Sequence, residues 1–182
     1  MRPQFIVLLA LGLLGAVRVP AESPTARSPG PEVKRLEVWA GKWRLEETVH
    51  PTPFGKSGKA SYRSVMRMTH GGWVLESRGS GSGPDGLLTW TELTVHDPST
   101  GGYRNHYFDS MGVATSSATT FDGRGLKGSW SMTLEGRTYQ CRFTATLGAD
   151  GKTYEYQWSY SEDGQSWKPW LDGKGRRVGA VR

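Results

Sequence analysis

The chain has 182 residues, the length of a single domain with room for a real core. Its one cysteine, Cys141, excludes an internal disulfide, so packing must hold the fold together. The formal net charge of +6 comes from bases scattered along the chain without a nucleic-acid motif, so nucleic acid is not expected as a partner.

The first segment reads as a leader. Met1 to Gln4 carries one Arg, Phe5 to Val17 is almost wholly apolar, and Val19-Pro20-Ala21 offers small residues for cleavage. A signal peptide over residues 1–21 is expected, with a cut after Ala16 as the alternative. Its apolar core is too short to span a bilayer, and no later stretch suits a transmembrane segment. The mature protein is therefore expected to be exported, either periplasmic or secreted. Losing Arg2 and Arg18 lowers the net charge of +6 by two. Residues 22–31, rich in Ser, Pro and Gly, read as a disordered leader, and the folded domain is expected over 32–182.

Pro31 then opens a short helical turn. Val33, Leu36 and Trp39 recur on one face, and Gly41 ends the turn where Gly41-Lys42-Trp43 enters the first strand. Gly41 and Trp43 are expected to be structural, the glycine for a tight turn and the indole as a plug for one end of the sheet.

Past Gly41 the punctuation is regular. Asp85-Gly86, Asp122-Gly123, Glu135-Gly136, Asp150-Gly151, Asp163-Gly164 and Asp172-Gly173 are hairpin-type dipeptides, and Gly71-Gly72 and Gly101-Gly102 serve the same purpose. Between them run short segments that alternate. Examples are Trp43, Leu45 and Val49; Tyr62, Ser64, Met66 and Met68; Trp73 and Leu75; and Tyr154, Tyr156, Trp158 and Tyr160. The pattern predicts an all-β fold of roughly ten antiparallel strands in an up-and-down meander, closed into a barrel because closure removes both edges.

In this order the motifs resemble a known family. Gly41-Lys42-Trp43 after Leu36, Gly71-Gly72-Trp73-Val74-Leu75-Glu76, Tyr103 through Gly112 and Ser161 through Trp167 are similar to the bacterial DUF1579 family. The similarity covers residues 33–178 and implies a lipocalin-like, calycin-type barrel with no agreed activity or catalytic residues. Trp73 would then be structural. Two departures stand out: Tyr107 replaces a common Trp, and Lys174-Gly175-Arg176-Arg177 is unusually basic.

A barrel this wide can hold a cavity in its mouth. Tyr62, Met66, Tyr107, Trp130, Tyr156 and Trp158 would line an apolar wall with hydroxyl and indole groups, with Asn105 and Arg142 selecting polarity. The alternative is that the same aromatics fill an ordinary core. Within Tyr103 to Asp109, one face carries Tyr103, Asn105, Tyr107 and Asp109 and the other Arg104, His106 and Phe108; alternation leaves open which faces inward, and the resemblance to the family implies the first. Asp109, expected to be structural, then caps the turn at Ser110 to Gly112, with acceptance of a hydrogen bond from a Tyr or Trp as the alternative. Cys141, in phase with Tyr139 and Phe143, is expected to be a buried small hydrophobe.

No catalytic or metal site emerges. If Asp97 to Gly102 is a turn, His96 and His106 stand over about 10 Å apart, too far for one zinc ion. His106 alone would have to serve as a haem ligand, and no cofactor is expected. Gly81 to Gly86 matches G-x-G-x-x-G, but it lies in a polar hairpin with no helix to present amides to a phosphate. The reading is an exported protein that binds a small apolar or amphipathic ligand. An enzyme using Tyr, His106 or Asp109 in the cavity, and an envelope-associated protein working through its surface, are the alternatives.

Overall fold

The computed structural model describes residues 28–181. The expected signal peptide, and the leader through residue 27, lie outside the described residues.

Pro31–Lys34 forms one turn of α-helix, α1, with Pro31 at the first helical position. Arg35–Trp39 continues as a 3₁₀ helix. The buried residues Val33, Leu36 and Trp39 fall at a strict spacing of three, which is the 3₁₀ period and brings all three to one face. Ten strands follow: β1 Gly41–Val49, β2 Gly58–Thr69, β3 Val74–Gly83, β4 Gly86–Asp97, β5 Gly102–Asp109, β6 Ala114–Phe121, β7 Gly125–Leu134, β8 Arg137–Leu147, β9 Thr153–Ser161 and β10 Lys168–Gly179. Each pairs antiparallel with its chain neighbours, and β1 pairs with β10, so the meander closes into a barrel. No helix among the described residues is long and apolar enough to cross a membrane.

The turns follow their residue chemistry. Leu134 pairs with Arg137 across a two-residue turn in which Glu135 and Gly136 both have positive φ, 49° and 78°. That pair of left-handed residues gives the turn the twist that matches the flanking strands. Asp172-Gly173 behaves differently from the expected hairpin dipeptide. It lies inside β10, and Gly173 is bare because the Tyr156 ring from β9 covers it. A Cβ there would stand 2.1 Å from that ring.

The helical segment plugs the end where β1 begins. Trp39 and Trp43 meet the Tyr154 ring edge-on at 5.5 and 4.8 Å, and Trp43 Nε1 donates to the Trp39 carbonyl across 3.0 Å. Arg177, near the end of β10, stacks over the Trp43 indole at 4.5 Å and donates to the carbonyls of Ala40, Val38 and Gly151. This interaction also explains Gly41, whose φ is not in the left-handed region. A side chain there would crowd Arg177, 3.0 Å away. The basic end is therefore divided in use: Lys174 pairs with Glu155 on the outer surface, while Arg177 latches the plug.

Trp73 does not occupy the predicted strand position. It caps the 3₁₀ turn His70–Gly72, ahead of β3, and is 40% exposed. The turn through Gly71 and Gly72 ends before the ladder starts, so Trp73 falls at the barrel's end and not on its wall.

Candidate functional site

Strand alternation sends every second side chain inward. At the plugged end these fill a core around Leu36, Trp39, Trp43, Leu45 and Tyr154. Towards the other end they leave a cavity of about 390 Å³. It opens between the β1–β2 loop, the Pro84-Asp85 turn and the β5–β6 turn, where Thr52, Phe54, Asp85, Met111 and Val113 form the rim.

The rim is ordered by specific contacts. Phe54 folds down onto Tyr139, Tyr160 and Trp170, with ring centroids 5.0, 5.0 and 4.5 Å away. The Asp85 carboxylate accepts from the Lys56 amide at 3.1 Å and ties the β1–β2 loop to the next hairpin. Asp109 takes three donors: the amides of Met111 and Val113 at 2.9 and 3.0 Å, and the Tyr107 hydroxyl at 3.1 Å. It both caps its turn and holds a cavity side chain.

The cavity has two unlike walls. On β7 to β10 it is aromatic, with Trp158 at the centre, 5.3 Å from both Trp130 and Trp170 and 6.3 Å from Tyr107. On β3 to β6 it is polar, with Ser77, Glu92, Thr94, Asn105, Tyr107 and Ser117. Asn105 Nδ2 donates to Glu92 at 2.5 Å and to Thr94 Oγ1 at 3.1 Å. From β1, Glu47 accepts from the Tyr156 hydroxyl at 2.6 Å.

Burial raises the pKa of both glutamates, and the bonds from Asn105 and Tyr156 only partly offset it. Glu92 keeps some accessible surface because it borders the cavity, not because it meets bulk solvent. Burial, with the charge of Glu47 next in weight, pushes the Tyr62 hydroxyl up to about 12. Tyr107 is raised by burial first and then by Asp109. Three polar atoms on the lining have no hydrogen-bond partner among the described residues: Trp39 Nε1, Ser77 Oγ and Trp130 Nε1.

Seven of the eight side chains expected in a pocket line this cavity: Tyr62, Met66, Asn105, Tyr107, Trp130, Tyr156 and Trp158. Arg142 does not. It alternates out of phase with the inward Cys141 and Phe143, so it stands outside the barrel, stacked 3.8 Å over Trp167 and donating to Ser159 Oγ. The same alternation places His106 on the outer face, between inward Asn105 and Tyr107. Cys141 is buried at 1% exposure beside Tyr139 and Tyr160, and burial raises its thiol to about 11. Glu47, Glu92, Ser77 and Trp170 escaped the sequence reading. The signal for Glu92 was present, since it alternates in phase with Trp90 and Thr94. Among the described residues, no three His, Cys, Asp or Glu are grouped to hold a metal ion.

A family model described as "Protein of unknown function (DUF1579)" matches residues 28–164. The chain belongs to the DUF1579 family. The match runs from ahead of the plug through the β9–β10 turn, so this DUF1579 barrel has its cavity almost wholly within the family region. No curated protein matches the chain. Among solved structures, the crystal structure of Rv2717c from M. tuberculosis is similar, with a TM-score of 0.58 at 14% identity. The similarity covers 81% of this chain and 98% of that one, and at this identity it is a likeness of fold.

Proposed function

We propose that this DUF1579 protein is an exported barrel that binds a small amphipathic molecule in its interior. The observation that carries the reading is the cavity itself. Its size lies within the roughly 300–1,000 Å³ usual for ligand pockets, and an aromatic wall faces a polar one. The unpartnered Ser77 Oγ and Trp130 Nε1 support the reading, because a guest that satisfied them would remove a desolvation penalty. Apolar burial supplies affinity at about 25 cal/mol per Å², before ordering costs are subtracted. Export rests on the apolar leader of residues 1–21.

The test is titration of the mature chain with a neutral apolar dye, N-phenylnaphthylamine, read by the fluorescence of the dye and of the cavity tryptophans. Native mass spectrometry on protein purified without denaturant then weighs any resident guest. Ala145 of β8 lines the cavity, and saturable one-to-one binding that the space-filling Ala145→Phe abolishes is the expected result. A mature protein that binds no dye and carries no added mass overturns the reading.

One observation favours a second reading. Two buried carboxyls with raised pKa, each hydrogen-bonded in a cavity, resemble the setting of a general acid. Conversion of a bound guest, lost in both Glu47→Gln and Glu92→Gln, would establish it.

A further inference from the structure

The cavity is one-sided in charge. Glu47, Glu92 and Asp109 line it and Asp85 stands at its mouth, yet among the described residues no Lys, Arg or His lines it. Asp109 is committed to its turn amides and to Tyr107. Glu47 is bound to Tyr156. Glu92 is placed differently. It lies directly between Ser77 of β3 and Tyr107 of β5 in the two ladders. Asn105 donates a neutral hydrogen bond to one oxygen, and among the described residues no cation offsets its burial.

Ser77 is an independent observation. It is 4% exposed, it lines the cavity, and its hydroxyl has no partner. A carboxylate out of bulk water without a counter-ion is unfavourable until something positive joins it. Trp158 meets Tyr107, the cross-strand partner of Glu92, at 6.3 Å, and Trp130 stands beside it on the same cavity lining; indole ring faces attract cations. A guest carboxylate would meet only like charge.

We propose that the guest is a small amphiphile bearing a protonated nitrogen, an alkyl or aryl amine, whose cation is held by Glu92 and Ser77. Its apolar body lies against the tryptophan wall. This rests on the ligand-binding reading above and narrows it to a chemical class.

The test uses a matched series, octylamine, octanol and octanoate, titrated into the mature full chain and read by tryptophan fluorescence and native mass spectrometry. Octylamine is expected to bind tightest, about tenfold or more ahead of octanol, as a charge-assisted hydrogen bond implies. Glu92→Gln removes that margin, so that within this variant octylamine binds no tighter than octanol; Ser77→Ala, a milder change, reduces the margin severalfold. Equal binding of amine and alcohol, tighter binding of octanoate, or a margin that survives both substitutions overturns the amine assignment while leaving ligand binding standing. Failure of all three probes to bind overturns both.

Discussion

The Tyr156 hydroxyl reaches Glu47 across the bare backbone of Gly173, closing a 2.6 Å hydrogen bond between β9 and β1 over the intervening β10. One missing side chain thus lets two strands that are not neighbours in the sheet share a buried polar contact.

Gly173→Ala should break this arrangement. The added methyl would meet the Tyr156 ring and displace it, at a cost of about 1–3 kcal/mol in unfolding free energy, as for other overpacked sites. Tyr156→Phe removes the donor and leaves the Glu47 carboxyl unsatisfied, destabilising by roughly 1–3 kcal/mol. Urea unfolding of both variants at one pH measures each effect. A Gly173→Ala protein as stable as the parent would show that the ring is free to move aside.

Glu92 makes stability depend on pH in a definite direction. Its folded pKa lies above the ordinary 4.5, so the folded state binds the proton more tightly than the unfolded chain does. The stabilisation is fully present below 4.5 and is lost as pH rises through the folded value. Glu92→Gln keeps an acceptor for Asn105 and carries no charge. It should therefore be more stable than the parent at neutral pH and gain nothing below 4.5. Urea midpoints across the acid range check the crossing.

The plug is the next point of leverage. Trp43 is fully buried, bonded to the Trp39 carbonyl and sandwiched between Tyr154 and Arg177. Trp43→Ala should destabilise by about 3–5 kcal/mol, in the range of other buried aromatics. Arg177→Lys keeps the charge but loses the fork that spans Ala40 and Val38, so protection of the amides in the helical segment should fall in hydrogen exchange.

At the mouth, Asp85→Ala releases the Lys56 amide and with it the β1–β2 loop. Stopped-flow mixing with the neutral dye should show faster entry and exit, while the thermal midpoint changes little. An unchanged rate would mean that Phe54 alone sets access.

How much of this was legible beforehand follows from what alternation can and cannot say. Alternation separates Tyr103, Asn105, Tyr107 and Asp109 from Arg104, His106 and Phe108 but does not say which set faces inward; the likeness to the family supplies that choice. Cys141 is legible from its phase with Tyr139 and Phe143, and that phase excludes Arg142, whose chemistry suits a pocket but whose position does not. Asp172-Gly173 looked like a turn because local sequence cannot reveal a ring arriving from another strand. Trp73 missed its strand because alternation does not say where pairing begins. Glu92 is not legible because an isolated acid in a strand normally faces water, and Glu47 because alternation says only that it and Glu46 lie on opposite faces. Only the closed barrel turns those two positions toward each other's cavity.

The pairing of β1 with β10, from Lys42 opposite Gly179 to Val49 opposite Leu171, spans almost the entire domain. The strand that completes the ring is thus the last strand of the barrel to be synthesised. Until it arrives, β1 and β9 each present an unsatisfied edge, the form of β-structure most prone to join another chain. Closure must wait until β10 has been made, and such long-range closure is intrinsically slow. A nascent chain cut short before Lys168 would be a sticky open sheet, so arrival of β10 is what turns an aggregation-prone ribbon into an edgeless ring.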